Sequence, residues 1–317
     1  MAMRDLIPWR RERLPVRREE QDPFLAFRQE MDRMFDEFAT GSMLAPFDKG
    51  WPAFEPRVDV VETDQEVKVT AELPGLDDIA LTTNAVLLPR LAEDLADAGL
   101  KRITVSLDTL DEEVLDRMSG GKAKPEDVLN GIAAAEAAGF RNIKINAVVQ
   151  RGVNDHTVLD LLDHFRGTPH LVRLIEYMDV GNSNHWNKDE VVSNAEWVES
   201  INQRWPIEPL GGRDPAETAR RYRYRDGAGE IGFISSITQP FCGGCSRARV
   251  TADGILYTCL FANKGTNLMP LIRHGAGAED LHQRIHDVWT QRDDRYSEER
   301  GLPGHDQRKV EMYRMGG

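Results

Sequence analysis

The 317-residue sequence contains three cysteines, and they fall in one short stretch: Cys242, two glycines, Cys245, thirteen further residues, then Cys259. An odd count argues against a disulfide framework, which needs pairs and an oxidising compartment. Gly243 and Gly244 leave the backbone free to turn both flanking thiols toward one centre. Asp253-Gly254 predicts a hairpin turn between residues 247–251 and 255–259, which returns the third thiol to the first two. Two chemistries use such a set. One is a structural zinc of Cys3His type, with His274 as the fourth ligand. The other is an iron–sulfur cluster held by three thiolates, which leaves one iron open to a ligand. Arg247 and Arg249 follow Cys245 closely, and a closed zinc site has no use for adjacent anion-binding forks. They favour the cluster.

The elements that must position this stretch read as alternating strands and helices from Leu76 onward. Residues 79–83, 103–108, 142–149 and 171–178 predict strands, and residues 87–98, 125–138 and 157–166 predict helices. Such alternation means parallel β/α units, whose ligands gather at the C-terminal ends of the strands. Polar residues are expected there: Thr82, Thr83 and Asn84, Ser106 and Asp108, Lys144 and Asn146, Glu176 and Met178. After Asn184 the alternation fades into a second region with residues 221–225, 230–237, the cysteine hairpin and a closing helix near 278–292.

Composition sets the broad class. Hydrophobic residues make up 40% and charged residues 29%, ordinary values for a soluble globular chain. The net charge of −13 gives the whole molecule no attraction for nucleic acid or an anionic membrane, so an anionic ligand needs a local basic pocket. No apolar run approaches the roughly 20 residues of a membrane span. Arg10-Arg11 is not followed by an apolar segment, and Glu12, Glu19 and Glu20 argue against a transit peptide, so the expected location is the cytoplasm.

The first eighty residues differ from the rest. Residues 1–56 read as a mobile segment carrying a helix that opens at Asp22-Pro23, with Phe24, Phe27, Met31, Met34, Phe35 and Phe38 on one face. Strict alternation of Val58 and Val60, then Val67, Val69, Ala71 and Leu73, around Asp64-Gln65 predicts a β-hairpin. The Phe-rich helix, Pro56-Arg57-Val58-Asp59-Val60 and the run from Glu66 to Gly75 resemble the start of a bacterial small heat-shock protein over about residues 1–78. Two or three strands cannot close the sandwich of that family.

Residues 73–317 resemble the molybdenum-cofactor biosynthesis protein A family, the GTP 3′,8-cyclases of the radical-SAM superfamily. The matching stretches run in order: Ile79-Ala80-Leu81-Thr82-Thr83-Asn84, Ile103-Thr104-Val105-Ser106-Leu107-Asp108, Phe140-Arg141-Asn142-Ile143-Lys144-Ile145-Asn146, Ile175-Glu176-Tyr177-Met178, Gly229-Glu230-Ile231-Gly232-Phe233-Ile234, and the cysteine hairpin. The chain closes on Gly316-Gly317. The resemblance implies an α/β fold: an incomplete (β/α) barrel with a C-terminal domain that carries an auxiliary 4Fe–4S cluster. It implies that Cys242, Cys245 and Cys259 hold this cluster, and that Thr82, Lys144, Arg247, Ala248 and Arg249 bind GTP. It further implies that Ser106 and Met178 line the pocket for S-adenosyl-L-methionine. In the family a 5′-deoxyadenosyl radical abstracts the ribose 3′ hydrogen of GTP, and the new carbon radical attacks C8 of guanine. The resemblance assigns no side chain as a catalytic acid, base or nucleophile.

The sequence also departs from that family. The Cys-x3-Cys-x2-Cys loop of the cluster that cleaves S-adenosylmethionine has no counterpart, nor do the Gly-Gly-Glu-Pro turn and the first two β/α units. The chain therefore reads as a heat-shock front joined to the last three quarters of a cyclase. Four divisions are expected: the mobile segment 1–56, the hairpin fragment 57–78, a partial barrel 79–184 and a cluster- and GTP-binding domain 185–317. Doubtful turnover follows from the missing motif. The alternatives are an inactive fragment holding one cluster and GTP weakly, or a chaperone-like oligomer driven by the N-terminal segment. An exposed edge on the strand at 79–83 predicts a poorly soluble or homo-oligomeric protein.

Overall fold

The computed structural model describes the backbone course of residues 58–62 and 67–71, and residues 78–182, 184–211, 217–251, 253–300 and 309–312. The chain divides into two compact units, Met1–Gly75 and Leu76–Gly317. In the first unit, β1 (Val58–Glu62) and β2 (Val67–Ala71) form an antiparallel pair with Val58 opposite Ala71 and Val60 opposite Val69. This is the hairpin that the alternation predicts. The Phe-rich helix and the segment before it lie outside the described residues.

The second unit begins with β3 (Ala80–Thr83), α1 (Leu88–Asp97), β4 (Arg102–Ser106), α2 (Glu112–Ser119) and α3 (Pro125–Ala137). β5 (Lys144–Val149), α4 (Val158–Phe165), β6 (Leu171–Glu176), α5 (Asn194–Arg204), β7 (Ile207–Pro209), β8 (Arg220–Tyr224) and β9 (Glu230–Ile234) follow. Proline in the first turn starts both α1 and α3, where its missing N–H costs no helical bond. Asp111 caps α2 by accepting from Val114 N at 2.9 Å. Neither α2 nor α5 stands out in the sequence pattern, although α5 opens with a Ser193–Glu196 capping box.

Seven strands form one sheet in the order β3-β4-β5-β6-β9-β8-β7. β3 to β6 and β9 run parallel, whereas β8 and β7 add antiparallel. The expected division at 184/185 therefore falls inside a single sheet: strands from beyond Asn184 extend it past β6. The order is that of an open row, not a closed ring, and β3 stands at its end. Among the described residues no strand pairs with the outer edge of β3. The helices cover one face. Ile103, Val105, Ile145, Ala147, Val149, Val172, Leu174, Ile231 and Phe233 are buried there with Leu88, Ala92, Val128, Ile132, Leu161 and Leu162. Burying these side chains supplies the main drive to fold.

A smaller three-stranded sheet, β10 (Arg249–Val250), β11 (Ile255–Tyr257) and β12 (Thr266–Asn267), carries the cysteine region. Three helices follow: α6 (Met269–Arg273), α7 (Ala278–Thr290) and α8 (Tyr296–Glu299). No described helix is long and apolar enough to cross a membrane.

Candidate functional site

In a parallel sheet, register partners project to the same face. Thr82 pairs with Thr104 and Thr104 with Lys144. Two residues further along, Ser106 pairs with Asn146 and Asn146 with Arg173, which lies beside Gly232. The face turned away from the helices thus carries Thr82, Thr104, Ser106, Lys144, Asn146 and Arg173 together. This corrects one expectation: Lys144 is the first residue of β5, not a residue of its C-terminal end. What it shares with Thr82 and Ser106 is a face. Thr104 and Arg173 escaped the sequence reading, although the strand alternation that buries Val105 and Leu174 on the helix side was the signal for both.

Arg173 donates from Nε to Asn146 Oδ1 at 2.8 Å. Gly232 makes room for it, since a Cβ at that position would meet Arg173 Cγ at 3.0 Å. Burial, then the neighbouring guanidiniums of Arg173 and Arg102, pull the Lys144 ammonium below its usual pKa. A cation destabilised by other cations favours an anion close by. Lys144 also lines a cavity of about 480 Å³ with Lys101, Arg102, Phe140 and Arg141. At the C-terminal end of β4, Asp108 Oδ1 accepts from Val148 N at 2.8 Å. Burial pushes its carboxyl up to about 6. Met178 lies just beyond β6, half-buried, and its carbonyl accepts from Asn184 Nδ2 at 2.9 Å.

The cysteines occupy the smaller sheet. Cys242–Gly244 forms a single 3-10 turn closed by Cys245 N on Cys242 O at 3.2 Å. Gly254, at φ +75°, makes the expected hairpin turn, and its N–H donates to Thr251 O at 2.8 Å. All three thiols are half-buried and none is in a disulfide. Arg247 donates to Cys245 Sγ from Nε at 3.4 Å and Nη2 at 3.3 Å, with its guanidinium 5.0 Å from the centre of the Phe241 ring. Burial works to raise the Cys245 thiol, but Arg247 and Arg292 outweigh it and hold the group below its ordinary value. Cys259 accepts from Phe261 N at 3.4 Å; burial pushes its thiol up. Burial, then Arg247, lowers Arg249, while Cys259 and Cys245 act in the other direction. Arg249 thus feels two of the three thiols at once. Arg247 and Ala248 are exposed.

Among the described residues no group of three or more His, Cys, Asp and Glu is gathered tightly enough to hold one metal ion. His274, the fourth ligand of the zinc alternative, is exposed after α6 and its Nδ1 lies 2.5 Å from Pro270 O. A tetrahedral zinc needs its ligands within one bond length of a point. A cluster spreads its thiolates more widely, and soft sulfur donors with N–H groups directed at them suit it. The donor set fits an iron–sulfur group. The structure thus collects two subsets: Thr82, Ser106 and Lys144 on the sheet face, and Cys242, Cys245, Cys259, Arg247 and Arg249 around the hairpin. Among the described residues, no hydrogen bond or ion pair of Arg247 or Arg249 reaches Thr82, Ser106 or Lys144.

Residues 170–298 match the family model for the molybdenum cofactor synthesis C domain, and residues 54–165 match that of the radical SAM superfamily. The second match begins inside the segment assigned above to a small heat-shock protein, and none of the comparisons supports that assignment. A GTP 3′,8-cyclase of Xanthomonas axonopodis pv. citri is 51% identical over 245 residues, covering 77% of this chain and 73% of that protein. The GTP 3′,8-cyclase of Acidothermus cellulolyticus is 47% identical, covering 79% of this chain and 76% of the relative. That of Synechococcus sp. (strain CC9605) is 49% identical, covering 77% and 73%. On identity and coverage of this extent, the chain belongs to the GTP 3′,8-cyclase family of the radical SAM superfamily.

Proposed function

We propose that this chain serves molybdenum cofactor biosynthesis as a cytoplasmic GTP-binding protein of the cyclase type, in which Cys242, Cys245 and Cys259 hold one auxiliary 4Fe–4S cluster. When bound, that group supplies an iron with an open position for a donor atom of the purine. The observation that carries the reading is the sulfur environment. Arg247 places two N–H groups on Cys245 Sγ, and Phe261 places one on Cys259 Sγ. Donors of this kind favour the thiolate over the thiol; at Cys245 they outweigh burial, whereas at Cys259 burial prevails.

The residues around the thiols would bind and orient the nucleotide. Arg247, Ala248 and Arg249 would meet the base, and Thr82 and Lys144 the sugar and phosphates, with Arg173 adding charge on the same face. Ser106 and Met178 would line an S-adenosylmethionine pocket. These 317 residues hold three cysteines, all of them in the hairpin region, so they cannot also supply a Cys-x3-Cys-x2-Cys loop. The proposal is therefore binding without turnover by these residues alone. The test is anaerobic: the reconstituted protein is titrated with GTP and then assayed for 5′-deoxyadenosine release under dithionite. GTP binding without 5′-deoxyadenosine above the protein-free control is the expected result. Product above that control overturns the absence of turnover, and no GTP binding overturns the nucleotide site.

A further inference from the structure

Immediately after Met178, Asp179 is 8% exposed and accepts from three side chains of the C-terminal region. Tyr296 OH lies at 2.5 Å, Arg300 Nε at 2.9 Å and Lys309 Nζ at 2.7 Å, and the same ammonium reaches Asp179 O at 2.7 Å. Burial works to raise this carboxyl, but the donors from Arg300, Lys309 and Tyr296 outweigh it and hold it below the ordinary range. The three donors do not stand alone. Tyr296 stacks on Phe261 at 4.7 Å, Arg300 lies 5.3 Å from the Phe261 ring centre, and Lys309 lies 4.6 Å from that of Tyr296. Phe261 is the residue whose N–H donates to Cys259 Sγ. The same stretch of chain also grips the turn between the first two cysteines. Arg292 donates to Cys245 O, and Gly243 N donates to Glu298 Oε1 at 3.3 Å. One stretch of chain, residues 292–300, therefore touches both the cysteine turn and the turn that follows β6.

We propose that Asp179 is a positioning residue: through Tyr296, Arg300 and Lys309 it anchors the 292–300 segment and so holds the three thiols in place beside the Met178 turn. The proposal rests on the reading of the thiols as cluster ligands and adds to it a group that touches none of them. The physical requirement is charge. Arg300 and Lys309 keep only 12% of their side chains exposed, so two largely desolvated cations lose their counter-charge when Asp179 is neutralised. Without it the segment loses its charge-assisted bonds to the β6 turn and keeps weaker contacts such as that of Arg300 with the Trp186 ring, so the backbone contacts at Gly243 and Cys245 loosen with it.

The test uses the full chain with Asp179→Asn, which keeps the shape and removes the charge, Asp179→Glu, which restores the charge, and Lys309→Met, which removes one donor. Two readings are taken. In the iron-free protein, hydrogen exchange of the amides at 242–245 and 259–262 is followed. In the anaerobically reconstituted protein, iron loss to a chelator is timed by the cluster absorbance. Asp179→Asn is expected to speed both, with iron loss about tenfold faster, the scale of one charge-assisted hydrogen bond. Lys309→Met should act in the same direction by less, and Asp179→Glu should recover part of the loss. If Asp179→Asn unfolds the whole chain by circular dichroism, Lys309→Met carries the test. Exchange and iron loss at the unsubstituted rate in a folded variant overturn the proposal. If the unsubstituted chain takes up no iron, the cluster reading fails, and the exchange arm alone decides for or against the anchor.

Discussion

Two N–H groups of Arg247 on one sulfur favour the thiolate at Cys245, and under the proposed function the same guanidinium is a fork for the nucleotide. Arg247→Ala should therefore weaken GTP binding to the reconstituted protein about tenfold or more, as read by titration calorimetry, because charge-assisted hydrogen bonds contribute roughly 1.5–3 kcal/mol. Unchanged affinity would remove Arg247 from the nucleotide site. Asp108 offers a pH test. Its carboxyl is raised from 3.8 to about 6 in the folded chain, so the folded state binds the proton more tightly than the unfolded state does. Its contribution to stability is then fully present below about pH 4 and is lost as pH rises through about 6, a fall of about 3 kcal/mol in all. Asp108→Asn should flatten that slope in urea melts at pH 4 to 7, and an unaltered slope would contradict the assignment. Residue types were legible in the sequence because thiols, forks and glycines announce themselves. The neighbours of Lys144 were not: strand register pairs it with Thr104 and brings Arg173, the partner of Asn146, onto the same face from a distant part of the chain.

At the scale of elements, Glu176 is the junction. It is fully buried at the end of β6 and accepts four bonds: Asn194 N at 3.0 Å, Ile237 N at 2.9 Å, Thr238 N at 2.8 Å and Thr238 Oγ1 at 2.6 Å. The carboxylate thus ties the start of α5 and the loop after β9 to the strand. Glu176→Gln presents an NH2 group to donors that need an acceptor, and should cost about 3 kcal/mol or more by denaturant melts. A loss below about 1 kcal/mol would mean that the network is dispensable. The parallel β/α units were readable because buried strands and amphipathic helices differ in period. The continuation of the sheet past Asn184 was not. Arg220-Arg221-Tyr222-Arg223-Tyr224 looks like surface, yet Arg221 is 8% exposed and neutralised by Glu217 at 3.0 Å and Glu230 at 2.7 Å. Pairing at a distance turns a charged run into a sheet strand.

For the whole molecule, the end of the row at β3 matters most after the cysteines. An outer edge with no described partner presents free N–H and C=O groups, which invites association between copies. Light scattering should give oligomers or loss of soluble protein with rising concentration; a monodisperse monomer across that range, with slow exchange at residues 78–83, would contradict this. The central claim concerns the three thiols. It is tested most directly by iron and acid-labile sulfide content after anaerobic reconstitution. About four irons and about four sulfides per chain are expected for a single cluster. About eight of each, or zinc in place of iron, would contradict it.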